Sequence, residues 1–186
     1  MEHMLKTKRR LTYEDYAALP DDRRYELIWG EIVVAPAPDV PHQSISGALF
    51  DQLRSLVKRG GQGRVYIAPL DVVLDRHNTV QPDLIFVSKE REEIVKDKNI
   101  QGAPDLLIEI VSPSSGDRDN LVKARLYEEH GIREYWVVDR YAEQITVHVL
   151  KSGRYEATCY GPEDRARSTA LPGLEVEVAP LVRIRR

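Results

Sequence analysis

The nearly unbroken apolar run PDLLIEIVS, residues 104–112, restricts the fold more than any other stretch of this chain. Such a run marks a strand buried on both faces. REYWVVD at residues 133–139 is a second one, and residues 117–130 between them carry a helical pattern that Gly131 ends. These two strands are expected at the centre of a mixed β-sheet flanked by helices, in an α/β (α+β) fold. Upstream, RRYELIWGEIVVAP reads as an N-terminal β-hairpin turning at Trp29-Gly30, where the glycine supplies a positive φ. Thr12 caps a short helix that stops before Pro20. Ile45, Leu49, Leu53, Leu56 and Val57 fall at helical spacing between Pro41 and Arg59, and Gly60-Gly61 end that helix. RVYIAPLDVVLD and TVQPDLIFV are β-rich runs joined by a turn over Arg76-His77-Asn78. SKEREEIVKDKNIQG is expected as a short helix and surface loop. Two polar-alternating strands follow near 143–150 and 154–160, before a proline-punctuated tail.

Length and composition narrow the function classes. The chain has 186 residues, which at about 150 residues per domain predicts one domain. Hydrophobic residues make up 42% and charged residues 31%, so overall disorder is excluded. A single cysteine, Cys159, rules out an internal disulfide and a cysteine-based zinc site. No apolar run approaches the roughly 18 residues of a membrane span. The basic start lacks the apolar core of a secretion signal, so a cytoplasmic protein is expected. Net charge is −3 and the pI is near 6.0. A protein that coats nucleic acid through bulk charge is usually strongly basic. Any phosphate binding here must therefore come from a local site or a bound cation. The basic ends, Lys6 to Arg10 and Arg183 to Arg186, read as solvated tails.

Two carboxylates stand inside β-rich apolar runs: Asp83 in VQPDLIFV and Glu109 in DLLIEIVS. Unpaired buried charge is expensive, so each needs a cation, hydrogen-bond donors or an outlet to solvent. Strand alternation lets Glu109 face a pocket while Ile108 and Ile110 pack on the opposite face. Two carboxylates on adjacent strands can share one divalent ion such as Mg²⁺. Arginine or backbone donors would satisfy them equally well, and the residues alone leave both readings open. Asp105 lies on the same strand as Glu109 at about 13 Å between α-carbons, too far to share a metal with it. If the connecting turn centres on His77, Asp71 becomes the cross-strand neighbour of Asp83 and a further candidate. On the following helix Asp119, Lys123 and Tyr127 form one stripe. It is either a surface salt-bridge ladder or a device that brings Lys123 back over the sheet edge to Asp83 and Glu109.

QPDLIFV, PDLLIEIVSPSS, DxxxKxxxY and GIREYWVVD, in this order, resemble a large bacterial family of restriction-endonuclease-like proteins within the PD-(D/E)XK nuclease superfamily. YELIWGEIV followed by Pro41-His42 fits the same family, so the resemblance spans about residues 12–182. It implies a mixed-sheet nuclease core that uses Mg²⁺ or Mn²⁺ to hydrolyse phosphodiester bonds in nucleic acid, DNA being the expected substrate, with a homodimer for double-strand cuts. Pro82-Asp83 matches the PD element and Glu109 the D/E position, which assigns the metal to Asp83 and Glu109. Val111 stands where the superfamily has its lysine, and the resemblance implies that Lys123 takes over that role. Glu26 and His42 match family positions too. Glu26 either completes the acidic cluster or pairs with Arg23 or Arg24, and His42 stands at a helix start. Tyr127, Tyr135 and Trp136 read as packing residues. Ser112, Ser114 and Ser115 lack a GxSxG elbow and read as a loop and helix cap. Val111 also leaves open a catalytically inactive nuclease-like fold that serves as a binding or assembly module. A glycosidase-type carboxylate pair is a further alternative, disfavoured by the chain's two tryptophans.

Overall fold

The computed structural model describes residues 9–20, 22–112 and 117–184, with backbone only for 117–120. Ser114, Ser115, the side chain of Asp119 and the outer parts of both basic ends lie outside the described residues. The N-terminal half runs α1 (Tyr13–Ala17), β1 (Arg24–Ile28), β2 (Glu31–Ala35), α2 (Val40–Gly60), β3 (Gly63–Ile67), β4 (Val72–Asp75), β5 (Asn78–Val80) and β6 (Leu84–Ser88). After a 3-10 turn at Lys89–Ile94 come β7 (Ile100–Gln101), β8 (Leu106–Ile110), α3 (Asp117–Glu129) and β9 (Glu134–Asp139). β10 (Gln144–Lys151), β11 (Arg154–Tyr160), β12 (Arg165–Arg167), β13 (Glu175–Glu177) and α4 (Val178–Val182) complete it.

The apolar runs fall where their patterning places them. β8 and β9 pair in parallel at the middle of a six-stranded sheet ordered β11-β10-β9-β8-β6-β3, whose other pairings are antiparallel. The hairpin does not extend this sheet. β1 and β2 join β4, β5 and β7 in a second, five-stranded sheet ordered β2-β1-β5-β4-β7. The two β-rich runs are therefore each divided between sheets: Pro69 lies between β3 and β4, and Pro82 lies between β5 and β6. Proline cannot donate to a ladder, which suits it to such crossings. The tail forms a two-stranded sheet, β12-β13, and α4.

Both faces of the six-stranded sheet are covered, as its apolar strands require. On one face Leu84, Phe86, Ile108, Trp136 and Val138 pack with Ile45, Leu49, Leu53 and Val57 of α2 and with Leu181 and Val182 of α4. On the other, Ile85, Leu107, Tyr135 and Val137 pack with Leu126 and Tyr127 of α3 and with Ile28, Val72, Val80 and Ile100 of the second sheet. Glu109 lies two residues from Leu107, so it shares this second face, between sheet and sheet. No helix among the described residues is long and apolar enough to cross a membrane.

Two other carboxylates are wholly buried and serve the scaffold. Asp105 accepts the Ser88 backbone N–H at 2.8 Å and lies 2.9 Å from Arg133. Glu134 accepts Trp136 Nε1–H at 2.7 Å, and its second oxygen takes Thr169 N–H, Thr169 Oγ–H and Ala170 N–H at 2.6–3.0 Å. It thereby ties β9 to the segment between β12 and β13. Removing an acceptor from buried donors costs about 1–3 kcal/mol each, less where water can return. Glu134→Ala is therefore expected to lower the unfolding free energy by about 2–3 kcal/mol, and Glu134→Gln by less, as urea denaturation would measure.

Candidate metal and phosphodiester site

Three strands and two helices bring the site together. Glu26 sits in the middle of β1, directly across from Val33 of β2. The hairpin turn holds Trp29 at φ 50° and Gly30 at φ 79°, the paired positive angles of a tight two-residue hairpin. A side chain at position 30 would collide with Arg10, whose Cβ lies 2.7 Å from the place a Cβ would take. Asp83 immediately precedes β6. β6 pairs with β8 through Leu84↔Ile108 and Ile85↔Leu107, so one further step of that register sets Asp83 opposite Glu109. Like charges at such a position destabilise a sheet unless something compensates them.

The compensation comes from both sides. Lys123 Nζ, from α3, donates to Glu109 Oε1 at 2.8 Å and to Glu26 Oε1 at 3.0 Å. Tyr127, one turn on, donates its hydroxyl to the same Glu109 oxygen at 2.9 Å. Asp83 Oδ2 accepts the Ile110 backbone N–H at 2.8 Å and stands 3.1 Å from His42 Nε2. His42 occupies the first turn of α2, where Asp39 caps the helix by accepting the His42 backbone N–H at 2.8 Å. Glu26 Oε1 also accepts the Gln81 backbone N–H at 2.9 Å. Glu26, Asp83 and His42 are each less than a tenth exposed.

This crowding sets the charge states. Burial pushes the Glu109 carboxyl up; Lys123 opposes it, Asp83 and Glu26 add to it, and the result is about 7. Burial works against a charged Lys123, but the Glu109 and Glu26 carboxylates outweigh it and hold its pKa above the ordinary lysine value. Burial likewise opposes protonation of His42, yet its hydrogen bond to Asp83 and the charges of Asp83, Glu109 and Asp39 raise it. The cluster thus has more carboxylates than cations to meet them.

Among the described residues, no three His, Cys, Asp or Glu side chains are grouped so as to hold a metal by themselves. Mg²⁺ rarely asks for that: one or two carboxylates suffice, with waters and substrate phosphate filling the rest of its shell. The donor set of Asp83 and Glu109 fits such a hard, oxygen-seeking cation. Among the described residues no hydrogen bond is made to Asp83 Oδ1 or Glu109 Oε2. Asp83 is anchored through Oδ2 and Glu109 through Oε1, and both residues line a cavity. That cavity, of about 370 Å³, is lined by Glu26, His42, Asp83, Glu109 and Lys123 and by further residues of the hairpin.

Several sequence expectations change here. Asp71 is not opposite Asp83: β4 and β5 pair through Val72↔Val80 and Val73↔Thr79, so their turn centres one residue earlier than His77. The chain then leaves for the other sheet at Gln81-Pro82. Asp71 instead accepts Tyr16 O–H at 2.7 Å and Gln81 Nε2–H at 2.9 Å, away from the cavity. Lys123 reaches the carboxylates of Glu109 and Glu26, not of Asp83. Glu26 pairs with neither neighbouring arginine; Arg24 is bonded to Gln81. Tyr127 packs against Tyr135, but it is also a hydrogen-bond donor to Glu109, which its place in the Lys123 stripe foreshadows. Gln81, which orders Glu26 through its backbone, carries no sequence signal.

The Glu109 shift has a sign that can be tested. Its folded pKa of about 7 exceeds the ordinary 4.5, so the folded state holds a proton the unfolded chain releases. Stability from this group is complete below about 4.5 and is lost as pH rises through about 7. The raised His42 acts in the same direction. Metal-free wild-type protein is expected to lose more thermal stability than Glu109→Gln between about pH 5 and pH 8, as paired melting curves would show.

The family model described as "Uma2: Putative restriction endonuclease" matches residues 13–179. In structure the chain is similar to a crystal structure of a "putative nuclease belonging to DUF820" from Anabaena variabilis, with a TM-score of 0.79 and 21% sequence identity. That match covers 92% of this chain and 97% of the other, and it is a likeness of fold. No protein of curated function matches the chain. The family match runs from α1 to the start of α4 and takes in every residue of the acidic cluster, and the chain belongs to the Uma2 restriction-endonuclease-like family.

Proposed function

We propose that this protein hydrolyses phosphodiester bonds in nucleic acid, DNA foremost, with a divalent cation, Mg²⁺ or Mn²⁺, held by Asp83 and Glu109. The observation that carries this reading is the Asp83–Glu109 cross-strand pair, with one oxygen of each anchored by the protein and a lysine fixed beside them. Family membership supports it independently. A bound cation would polarise the phosphate and lower the pKa of a coordinated water.

The chain's own groups supply the rest. Lys123 brings a permanent positive charge to the edge of the acidic cluster, where it can orient the attacking water or stabilise charge developing on a phosphoryl oxygen. Glu26 holds that ammonium in place from the other sheet. Ile110 N–H and His42 fix the orientation of Asp83, and Tyr127 fixes Glu109. Val111, at the superfamily's lysine position, packs with the apolar cluster on the second face of the sheet. A positive charge comes from α3 instead, which supports the reading of an active site over an inactive one. Cutting both strands of a duplex takes two such sites, so a homodimer belongs to the duplex form of this reading; a single-strand cut takes one.

The test combines metal binding with cleavage of labelled oligonucleotides. Calorimetric binding of Mn²⁺ is expected in wild type and absent in the Asp83→Ala/Glu109→Ala double variant. Cleavage is expected to fall by about 100-fold or more in Asp83→Asn, in Glu109→Gln and in Lys123→Met. Variants that cleave at the wild-type rate would overturn the site assignment. Metal binding by a wild-type protein that cleaves no nucleic acid would replace this reading with that of a binding module.

A further inference from the structure

The cavity has two unlike walls, and the nuclease reading uses only one of them. Adjoining Asp83, Glu109 and Lys123 is one face of the β1-β2 hairpin, to which Glu26 itself belongs. Strand alternation puts Arg24, Glu26 and Ile28 on a common face of β1, and the register Glu26↔Val33 adds Val33 and Ala35 of β2 to that face. Trp29 at the turn, Val122 of α3 and Pro36 and Pro38 after β2 line the same cavity. The same register places Glu31 opposite Ile28, so the face carries Arg24, Glu26 and Glu31 as well, with Ile28, Val33, Ala35 and Trp29 as its apolar part. Val33 is 41% exposed, although an apolar side chain in a strand normally seeks cover. Trp29 is held in place: its backbone N–H donates to Asn78 Oδ1 at 2.7 Å, and the Arg125 guanidinium lies 5.8 Å from its ring centroid.

Charge and access restrict what could lie against this wall. Among the described residues the basic side chains lining the cavity are Arg24, Lys123 and His42, and each is already engaged, with Gln81, with Glu26 and Glu109, and with Asp83. The pI near 6.0 is far from the basic surface with which duplex-binding proteins neutralise phosphates. The carboxylates are recessed, with Glu109 12% and Asp83 8% exposed in their side chains. A volume of about 370 Å³ is at the small end for ligand cavities. It suits one nucleotide unit of a flexible strand rather than the flank of a stiff duplex.

We infer that the hairpin wall is a nucleobase-binding subsite: the protein seats one unpaired base against Trp29, Ile28 and Val33 and presents the adjoining phosphate to the acidic cluster. The substrate class is then a single strand or an unpaired end. Base contact with aromatic and apolar side chains is sequence-tolerant and supplies the affinity that the missing cations do not. The position of the phosphate rests on the nuclease reading; the base subsite does not.

Fluorescence anisotropy with labelled short strands tests this on the whole protein, with Ca²⁺ and again without divalent ion. The probes are oligothymidylate, oligouridylate, an abasic strand of the same length, and a blunt duplex. Oligothymidylate is expected to bind about tenfold more tightly than the abasic strand, and more tightly than the duplex, in at least one of the two conditions. Oligouridylate matching it would place recognition on the base irrespective of the sugar, while weaker binding would assign the subsite to deoxyribonucleotides; either is consistent with a base subsite. Trp29→Gly, which suits the positive φ of that turn, is expected to abolish the preference over the abasic strand. Equal affinity for thymidylate and abasic strands in both conditions, tighter binding of the duplex, or no binding of any strand would overturn the inference. Cleavage in Mn²⁺ is scored separately. Base-dependent binding without cleavage would sink the nuclease reading alone, and cleavage without base dependence would sink this one alone.

Discussion

The ammonium of Lys123 between Glu26 and Glu109 is the polar contact that joins the two sheets and α3 at the site, above the apolar cluster that packs them together. Glu26 belongs to the five-stranded sheet, Glu109 to the six-stranded sheet, and the lysine to the helix that links β8 to β9. Taking such ions out of water costs several kcal/mol each, and their mutual attraction about offsets that cost. Its value here is therefore positional. With one ammonium shared by carboxylates from both sheets, a shift of either sheet would part a buried carboxylate from its cation. The same contact leaves Asp83 to be met by His42 and the Ile110 N–H, and the cluster retains a surplus of negative charge that suits a cation.

Much of this was legible in the sequence. The apolar runs announced the central strands, because a strand covered on both faces has no place for alternation. The hairpin, α2 and the helix ended by Gly131 followed from turn glycines and helical spacing. Asp83, Glu109 and Lys123 were legible as charges in or next to such runs, and the order of the motifs was the family's. Sheet membership was not legible. Nothing in RVYIAPLDVVLD says that its two halves pair with different sheets, and a one-residue error in the centre of the following turn was enough to place Asp71 wrongly opposite Asp83. The alternative was one step along the β6-β8 register, where Asp83 meets Glu109, but register between strands far apart in sequence is set by packing that no local pattern reports.

Buried carboxylates alone do not distinguish a site from a scaffold. Asp105 and Glu134 are more deeply buried than Glu109. Glu134 has a neutral shell, an indole, a hydroxyl and two amides, which uses both oxygens and fixes the carboxylate permanently. Asp105 ties one strand to the next through a backbone amide and an arginine. Glu109 differs in its partners, a lysine and a tyrosine crowded on one oxygen, and in the neighbouring carboxylates that push its pKa to about 7. The sequence rule that strands avoid carboxylates finds all such residues; only the identity of the donors sorts them.

The bond from Glu134 to residues 169 and 170, and the packing of α4 against α2, bear on how the chain is made. Synthesis proceeds from the N-terminus at about 5–20 residues per second, and domains fold as their parts emerge. Here the apolar face of β8 and β9 that α2 covers is completed by Leu171, Val176, Leu181 and Val182, which emerge after the strands they cover. For some seconds a nascent chain carries α2 and most of the central sheet with that face incompletely covered. Apolar surface uncovered in this way is prone to aggregate until the later segments arrive to cover it.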